Sequence, residues 1–230
     1  MKTAVVMILI LAMCAGALFG CGAVSFYSYE NAQGYSAGAC EIEEPIYNLD
    51  IDWLAGNVTV EYHEDDCIAV TEESNGRPGN VGELRYRLDR NTLRIRYAAP
   101  GRLTYRGSKD LTVLLPEGTS LGELSVDTVS ANVYGEDISA GKVSIDTVSG
   151  DVRVSVLGEL RDFEADTVSG DVKLYLPANA SFELETDTVS GEVFTDFACT
   201  RRGDTYTCGT GGVELNVDTV SGDMSVLIAE

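Results

Sequence analysis

Residues 143–154 read Val143-Ser-Ile-Asp-Thr-Val-Ser-Gly-Asp-Val-Arg-Val154, and the string Asp-Thr-Val-Ser inside this stretch occurs five times in the chain. Successive copies are 19, 20, 21 and 31 residues apart. Repeats of about 20 residues are typical of solenoids, in which each unit buries its apolar face against its neighbours. The copies begin at Asp127, Asp146, Asp166, Asp187 and Asp218.

Alternation of side chains predicts that each repeat is a bent pair of strands. Val143, Ile145 and Thr147 share one face, Gly150-Asp151 marks a corner, and an inward face resumes at Val152. The chain is therefore predicted to be all-β, a single-chain parallel β-helix in which each strand pairs with its equivalent one coil away. Residues 51–60 align with residues 145–154, so we expect the solenoid to begin near residue 45.

Stacking places equivalent side chains of neighbouring coils about 4.8 Å apart. We expect the motif threonines and serines to form two inward columns whose hydroxyls hydrogen-bond along the stack. The threonines are Thr128, Thr147, Thr167, Thr188 and Thr219. The serines are Ser130, Ser149, Ser169, Ser190 and Ser221.

The motif aspartates are expected to form an outward column, and a second acidic line follows at the corners. Neighbouring carboxylates repel, and bound calcium would offset the repulsion. A solvated face, with corner carboxylates accepting backbone hydrogen bonds, is the favoured alternative. We therefore expect no metal site. The corner residues are Asp151, Asp171, Glu192 and Asp223.

The motif valines lie out of phase with the inward residues. Burying them would bury the aspartates, which is more costly than exposing valine. The sequence predicts an exposed stripe that is a candidate contact surface for self-association or for an envelope partner. Its members are Val129, Val148, Val168, Val189 and Val220.

Basic residues concentrate in one part of the chain, because nine of the 16 lie between Arg77 and Lys109. Residues 84–88 and 93–97 alternate strictly around Asp-Arg-Asn, which predicts a hairpin with arginine on its wet face. Such a face suits anionic headgroups or wall polymers, whereas cross-strand ion pairing is the simpler explanation. The formal net charge of the whole chain is −21, which excludes nucleic acid as the main partner.

The N-terminus has the pattern of an export signal, with Lys2 before an apolar run and small residues near a cut site. Leu18-Phe-Gly-Cys21 resembles the bacterial lipobox, which would make residues 1–20 a lipoprotein-type signal and Cys21 the lipidated residue. An uncleaved membrane helix and ordinary secretion are the alternatives. Residues 21–40 are predicted to be a flexible tether and residues 41–230 the solenoid domain.

The number of cysteines outside the leader is consistent with export. Without Cys14 in the leader and Cys21, four cysteines remain, and an even number in an exported chain predicts two disulfides. A turn at Gly203-Asp204 would place Cys199 opposite Cys208 in a hairpin inserted in the 31-residue step, without disturbing the register of the solenoid. Elimination leaves Cys40 with Cys67. A four-cysteine zinc site lacks the paired spacing it needs.

Signals for catalysis are poor. His63, the only histidine, fits an exposed turn, and Ser139 and Lys142 have the Ser-x-x-Lys spacing without the other motifs of enzymes that use it. Acidic pairs could serve a glycosidase, but the repeat itself accounts for them. We expect no catalytic residue and no cofactor.

Three stretches together resemble a known family: Ile51-Asp-Trp-Leu-Ala-Gly-Asn-Val58, the repeated Asp-Thr-Val-Ser-Gly-Asp, and the hairpin around Gly203. They are similar to the bacterial domain of unknown function 4097, a group named for adhesins and related to toastrack β-helix domains of the cell envelope. The resemblance covers about residues 41–230. It implies a non-enzymatic, surface-attached β-helix and brings no catalytic residues.

The expected function is therefore that of a membrane-anchored, extracytoplasmic binding or scaffold protein of adhesin type. Its partners would be the membrane, through lipid or helix, and a protein or polymer of the envelope. The alternative is a carbohydrate-active β-helix that binds or cleaves glycans. A cleft lined by non-repeating carboxylates or aromatic residues would favour the alternative, and uniform stacked faces would favour the first function.

Overall fold

Short strands with alternating burial dominate the computed structural model, which describes residues 25–75, 82–103 and 108–229. A single 3-10 turn, η1 (Ala32–Gly34), accompanies them in these ranges. The first ten strands are β1 (Ser25–Tyr27), β2 (Ser36–Ala37), β3 (Cys40–Ile42), β4 (Asn48–His63), β5 (Ile68–Asn75), β6 (Arg85–Asp89), β7 (Thr92–Arg96), β8 (Gly101–Leu103), β9 (Ser108–Pro116) and β10 (Leu121–Ile138). The next ten are β11 (Ala140–Thr147), β12 (Val152–Val156), β13 (Asp162–Ser169), β14 (Val172–Leu176), β15 (Phe182–Ser190), β16 (Val193–Thr195), β17 (Cys199–Arg202), β18 (Thr205–Cys208), β19 (Val213–Ser221) and β20 (Met224–Ile228).

Parallel strands form two walls around one core. Wall A consists of β7, β4, β10, β11, β13, β19 and β15, in that order. Wall B consists of β9, β4, β10, β12, β14, β20 and β16. The long strands β4 and β10 run through both walls, and later coils use one strand for each. The predicted β-solenoid with coils of about 20 residues is confirmed.

Residues 51–60, which align with the repeat, lie in the coil next to the first Asp-Thr-Val-Ser copy. Ile51 pairs with Val126, Asp52 with Asp127, and Val58 with Val133, which is the register that the sequence alignment predicts. Trp53 takes the place of the motif threonine, is fully buried, and donates from Nε1 to the carbonyl of Lys109 at 2.7 Å.

Apolar residues that alternate along each strand fill the space between the walls. Val143 and Ile145 of wall A and Val154 of wall B are each 0% exposed. Burying a side chain of this size contributes about 1.5–3 kcal/mol, so a stack of such layers supplies most of the stabilisation. The core therefore comes from the same repeat that defines the coils.

Glycine at the corner is required by the closeness of neighbouring coils. A Cβ atom on Gly150 would lie 2.0 Å from the carbonyl oxygen of Ala131, and one on Gly170 would lie 2.1 Å from that of Gly150. Backbone cannot yield by such a distance cheaply. This contact explains why Gly follows Asp-Thr-Val-Ser in four of the five copies.

The last two coils do not stack in chain order. Strand β19 lies between β13 and β15, with Asp218 opposite both Asp166 and Asp187. The chain thus builds the outermost coil first and then returns to fill the gap. The 31-residue step makes this return possible, and the predicted register is kept although the order is reversed.

A hairpin of β17 and β18 completes this end of the molecule. Gly203 turns the chain with a φ of +64°, Cys199 lies opposite Cys208, and the two are joined as a disulfide, as predicted. Strand β18 pairs antiparallel with the outer edge of β15. The hairpin therefore covers an edge of wall A that would otherwise present unpaired backbone groups.

The predicted pairing of Cys40 with Cys67 is wrong, because both are free thiols. Cys40 lies opposite Val70, so Cys67 is three residues out of register. At strand spacing that offset is about 10 Å, beyond the reach of a disulfide.

The predicted tether is also wrong for the part of residues 21–40 that the structure describes. Strand β1 pairs with β8, β2 pairs with β6, and Tyr27 is buried against the core. The aromatic rings of Tyr27 and Tyr29 are in edge contact at 5.5 Å, which gives this segment an apolar face despite its Gly, Ala and Ser content. The leader (residues 1–20) and Cys21 lie outside the described residues.

Candidate functional site

The motif aspartates form a continuous column on the outer face of wall A. Asp127, Asp146 and Asp166 are half-buried, because neighbouring strands shield each carboxylate. Burial raises the pKa of Asp127 to about 7, and the adjacent charge of Asp146 adds to the rise. Burial followed by the charges of Asp146 and Asp218 raises the pKa of Asp166 to about 7 as well.

Proton uptake therefore offsets the repulsion that the sequence predicts for this column. The Asp146 carboxylate hydrogen-bonds with Asp127 on one side and Asp166 on the other. These bonds lower the pKa of Asp146 against the larger effect of burial, which raises it. Near neutral pH the column holds protons between neighbouring carboxylates and carries less than its full formal charge.

At its first end the column meets the arginine hairpin of β6 and β7. Arg94 and Arg96 both contact the Asp50 carboxylate, and Arg96 approaches it to 2.7 Å. The prediction that these arginines all lie on a wet face is wrong for Arg96, which is only 9% exposed. In the structure Arg94 and Arg96 of β7 make cross-strand ion pairs with Asp50 of β4, whereas Arg87 pairs with Asp89 of its own strand at 3.1 Å.

The second acidic line forms a hydrogen-bond ladder from coil to coil. Asp151 accepts from the backbone N–H of Asp171 at 3.0 Å, and Asp171 accepts from that of Asp223 at 3.0 Å. Asp223 accepts in turn from Glu192 at 2.8 Å. Corner carboxylates thus accept backbone hydrogen bonds, as the favoured alternative to calcium expects.

The threonine column is inward, whereas the serine column is not. Thr128 donates to Thr147 at 2.8 Å, but the buried hydroxyls of Thr167 and Thr219 have no partner. All five motif serines are exposed, so the prediction of an inward serine column is wrong. The chain bends after the threonine, and the alternation that holds as far as Thr147 does not continue to Ser149.

The motif valines are less exposed than predicted. Val189 of the outermost coil is 77% exposed, whereas Val129, Val148, Val168 and Val220 are half-buried. Their place at or beside the bend, after the inward threonine, accompanies this intermediate exposure. The stripe therefore offers a broad apolar surface only at Val189.

The sequence analysis did not predict that a lysine in the first half of the chain is buried. Lys109 is 1% exposed, its Nζ lies 2.6 Å from Glu72, and it lies over the rings of Trp53 and Tyr97. Burial lowers the pKa of Lys109, and the bond to Glu72 opposes this shift. The pair links β9 to β5 beneath the first coil and serves as a structural contact.

A groove of about 920 Å³ crosses the outer face of wall B. Its floor includes Tyr134, Arg153 and Tyr175, with the Arg153 guanidinium 4.9 Å from the Tyr175 ring centroid. Asp137 and Asp196 are among the carboxylates that line it. No repeat signal marks these residues, but an alignment of the coils would have found them, because outward positions of wall B differ from coil to coil.

The two potential catalytic centres do not assemble. Lys142 lies 3.2 Å from both Asp162 and Glu164, and Ser139 donates instead to Ser120. The expectation of an exposed turn is wrong for His63, which is the half-buried last residue of β4, with its ring Nε2 2.7 Å from the carbonyl oxygen of Cys67.

A sequence model of the family described as Toastrack DUF4097 matches residues 117–227, the segment that contains all five motif copies. This segment is similar to the DUF4097 toastrack family. The matched segment begins just before β10 and includes every later coil, so it contains the whole repeat and the later part of both walls. The β4 coil and the arginine hairpin precede it.

Solved structures agree with the fold. A putative cell adhesion protein from Clostridium sporogenes is similar with a TM-score of 0.67 and 12% identity, covering 84% of this chain and 100% of that chain. A putative adhesin from Bacteroides fragilis, at 12% identity, has a TM-score of 0.39 and covers 82% of this chain and 95% of that chain. The first likeness shows a shared fold, and the second is too distant to add to it. No curated protein sequence matches this chain.

The described residues contain neither a metal-binding cluster nor a membrane-spanning helix. Residues 25–75, 82–103 and 108–229 hold no group of three or more His, Cys, Asp or Glu side chains placed to bind a metal ion. In the same part of the chain, no helix has the length and apolar character needed to cross a membrane.

Proposed function

We propose that this toastrack protein is a membrane-anchored, extracytoplasmic β-solenoid that binds partners at the bacterial envelope without catalysing a reaction. One observation carries the proposal: its fold matches, over 84% of the chain, a protein described as a putative cell adhesion protein. A rigid stack of coils suits such a role, because it presents outward side chains at a regular spacing along an extended surface.

Features of the sequence support export. The leader pattern, the cysteine at position 21 and a disulfide between Cys199 and Cys208 fit an oxidising compartment outside the cytoplasm. The acidic surface fits it too, since a net charge of −21 favours solubility at an exposed site.

Lipid attachment is tested by labelling cells with a radioactive fatty acid and separating membrane from soluble protein. Wild-type chain should carry label and sediment with membranes. Cys21→Ser should lose the label and leave the membrane fraction, whereas the matched control Cys14→Ser should keep both. Retention of the unlabelled Cys21→Ser chain in membranes would indicate an uncleaved helix, and release of wild type into the medium would indicate ordinary secretion; either result contradicts the lipid anchor.

The alternative function, carbohydrate recognition or cleavage, is favoured by one observation. The wall B groove is lined by carboxylates and aromatic residues that do not repeat from coil to coil. A cleft of this kind is the feature expected of a carbohydrate-active β-helix and not of a scaffold with uniform faces. It also fits a binding protein of the envelope whose ligand is a glycan.

A further inference from the structure

Outward positions of the solenoid differ in how they vary. On wall A the motif aspartate recurs from β4 through every later coil, whereas another outward position changes from Ser144 to Glu164 and Asn216. On wall B the equivalent outward position changes from Thr59 to Tyr134, Arg153, Lys173 and Ser225. Variation alone does not mark a site, and the groove is distinguished by the aromatic rings and carboxylates that the varying positions of wall B bring together.

The floor of the groove is aromatic and firmly held. Tyr134 is 37% exposed, and the Arg153 guanidinium covers one face of the half-buried Tyr175 ring at 4.9 Å, so a ligand contacts Tyr175 on the rest of its ring. Tyrosine offers a flat apolar face with a polar edge and loses little conformational entropy on binding. Such faces suit the C–H surface of a pyranose ring.

The rim of the groove is shaped by a β-bulge in β10. The register shifts between Gly135 and Ile138, and Asp137 takes a left-handed φ of +53°. Ser155 donates to the Asp137 carboxylate at 2.9 Å, which fixes its direction. Bulges and left-handed non-glycine residues are found next to binding sites because they re-aim side chains.

The polar groups of the groove are mainly acceptors. Glu61, Glu136, Asp137 and Asp196 line it together with Arg153, which gives four carboxylates against one guanidinium. Carboxylates accept hydrogen bonds from hydroxyls and repel anionic groups. Uronic acids and phosphate-bearing polymers are therefore disfavoured, and neutral sugars are favoured.

The dimensions favour a chain of sugars over a single ring. Tyr134 lies on β10 and Tyr175 on β14, two coils apart and two residues out of register, which places their Cα atoms about 12 Å apart at strand spacing. One pyranose ring cannot cover both tyrosines. The volume of about 920 Å³ lies within the range of ligand sites.

We propose that the wall B groove binds an extended neutral oligosaccharide, with sugar rings against Tyr134 and Tyr175 and sugar hydroxyls donating to the rim carboxylates. This inference rests on the proposed envelope-binding function and names its ligand class. Binding needs no movement of the coils, because the floor and the rim are both built on strands.

The test is calorimetric titration of the full chain, purified in a detergent without a sugar headgroup. The probes are cellohexaose, laminarihexaose, mannohexaose and N-acetylchitohexaose, with polygalacturonate as the anionic comparison. We expect at least one neutral probe to bind and polygalacturonate not to bind. Tyr134→Ala and Tyr175→Ala should each weaken that binding about tenfold, as expected for loss of one stacked ring.

Tyr47→Ala is the matched control, since Tyr47 is 52% exposed and is not part of the groove. Its affinity should equal that of wild type, and the melting temperatures of all three variants should show that they fold. Absence of binding to every neutral probe, tighter binding of polygalacturonate, or equal weakening by Tyr47→Ala would overturn the proposal. None of these results would alter the fatty-acid labelling of Cys21, so failure of the groove is distinguishable from failure of the envelope assignment.

Discussion

The aspartate column shows how one residue changes its chemistry when a solenoid repeats it. A lone exposed aspartate is fully ionised at neutral pH, but burial between coils and neighbouring carboxylates raises the pKa of Asp127 and Asp166 to about 7. A pKa raised in the folded state means that folding favours the protonated form. The resulting contribution to the free energy of unfolding is fully present below the ordinary pKa of aspartate, and it is lost as the pH rises through 7.

Asp166→Asn tests this account of the column. The amide mimics the protonated acid, so the variant should melt at a higher temperature than wild type at pH 8 and at nearly the same temperature at pH 4. Thermal unfolding between pH 4 and pH 8 measures the difference. Glu159→Gln, which removes an exposed carboxylate elsewhere, should follow the wild-type curve. A variant that gains no stability at pH 8 would contradict the raised pKa of Asp166.

Corner glycine offers a second test at the scale of a residue. Gly150→Ala would place a Cβ 2.0 Å from the carbonyl oxygen of Ala131 and should destabilise the fold by about 3 kcal/mol or more. Ser149→Ala, at an exposed neighbouring position, should change stability by less than about 0.5 kcal/mol. Chemical denaturation gives both values. Similar values for the two variants would show that the coils are not in close contact at this corner.

Among the elements, the terminal hairpin does most to define the end of the solenoid. It pairs with the outer edge of β15 while the chain returns to form β19 beneath it. Stability here depends on the Cys199–Cys208 disulfide, because the hairpin is short and mostly exposed.

Reduction should therefore loosen the last coil first. A bridge closing so short a loop contributes about 2–3 kcal/mol, and its loss should raise the hydrogen-exchange rate of β18 and β15 before that of β11 or β13. Cys40→Ser with Cys67→Ser, which removes the two free thiols, should leave exchange unchanged. Uniform loss of protection over all coils on reduction would contradict a local role for the bridge.

Some elements could be predicted from sequence and others could not, for identifiable reasons. The coil length, the β4 coil and both hairpins follow from periodic residues and turn chemistry. The reversed order of the last two coils does not, because the copies at Asp187 and Asp218 have the same motif and fit either position. The exposed serines and the packed segment from Ser25 depend on a bend and on tertiary contacts that alternation alone does not reveal. The groove was missed because its residues are those that do not repeat.

At the scale of the molecule, charge is divided along the solenoid. Arginines pair with carboxylates at the first end, whereas residues 110–230 carry six basic residues against 23 acidic ones. The excess of negative charge destabilises the folded chain, because like charges repel. Protons held by the aspartate column reduce only part of this repulsion.

Salt should therefore stabilise the protein through screening. Raising NaCl from 0.01 to 0.5 M shortens the Debye length from about 30 Å to less than about 8 Å, so the melting temperature should rise. CaCl2 at equal ionic strength should have the same effect as NaCl, because the corner carboxylates already accept backbone hydrogen bonds. A larger rise with CaCl2, together with heat on calcium titration, would instead assign the carboxylates to a cation.

Photo-crosslinking in intact cells tests whether the protein is an envelope-facing solenoid that recognises a glycan through wall B. Benzoylphenylalanine would replace Tyr134 in the groove or, as control, Ser144 on the outer face of wall A. We predict a glycan-containing adduct from position 134, none from position 144, and loss of the adduct when Cys21→Ser releases the chain from the envelope. No adduct at position 134, or equal adducts at both positions, would contradict the claim.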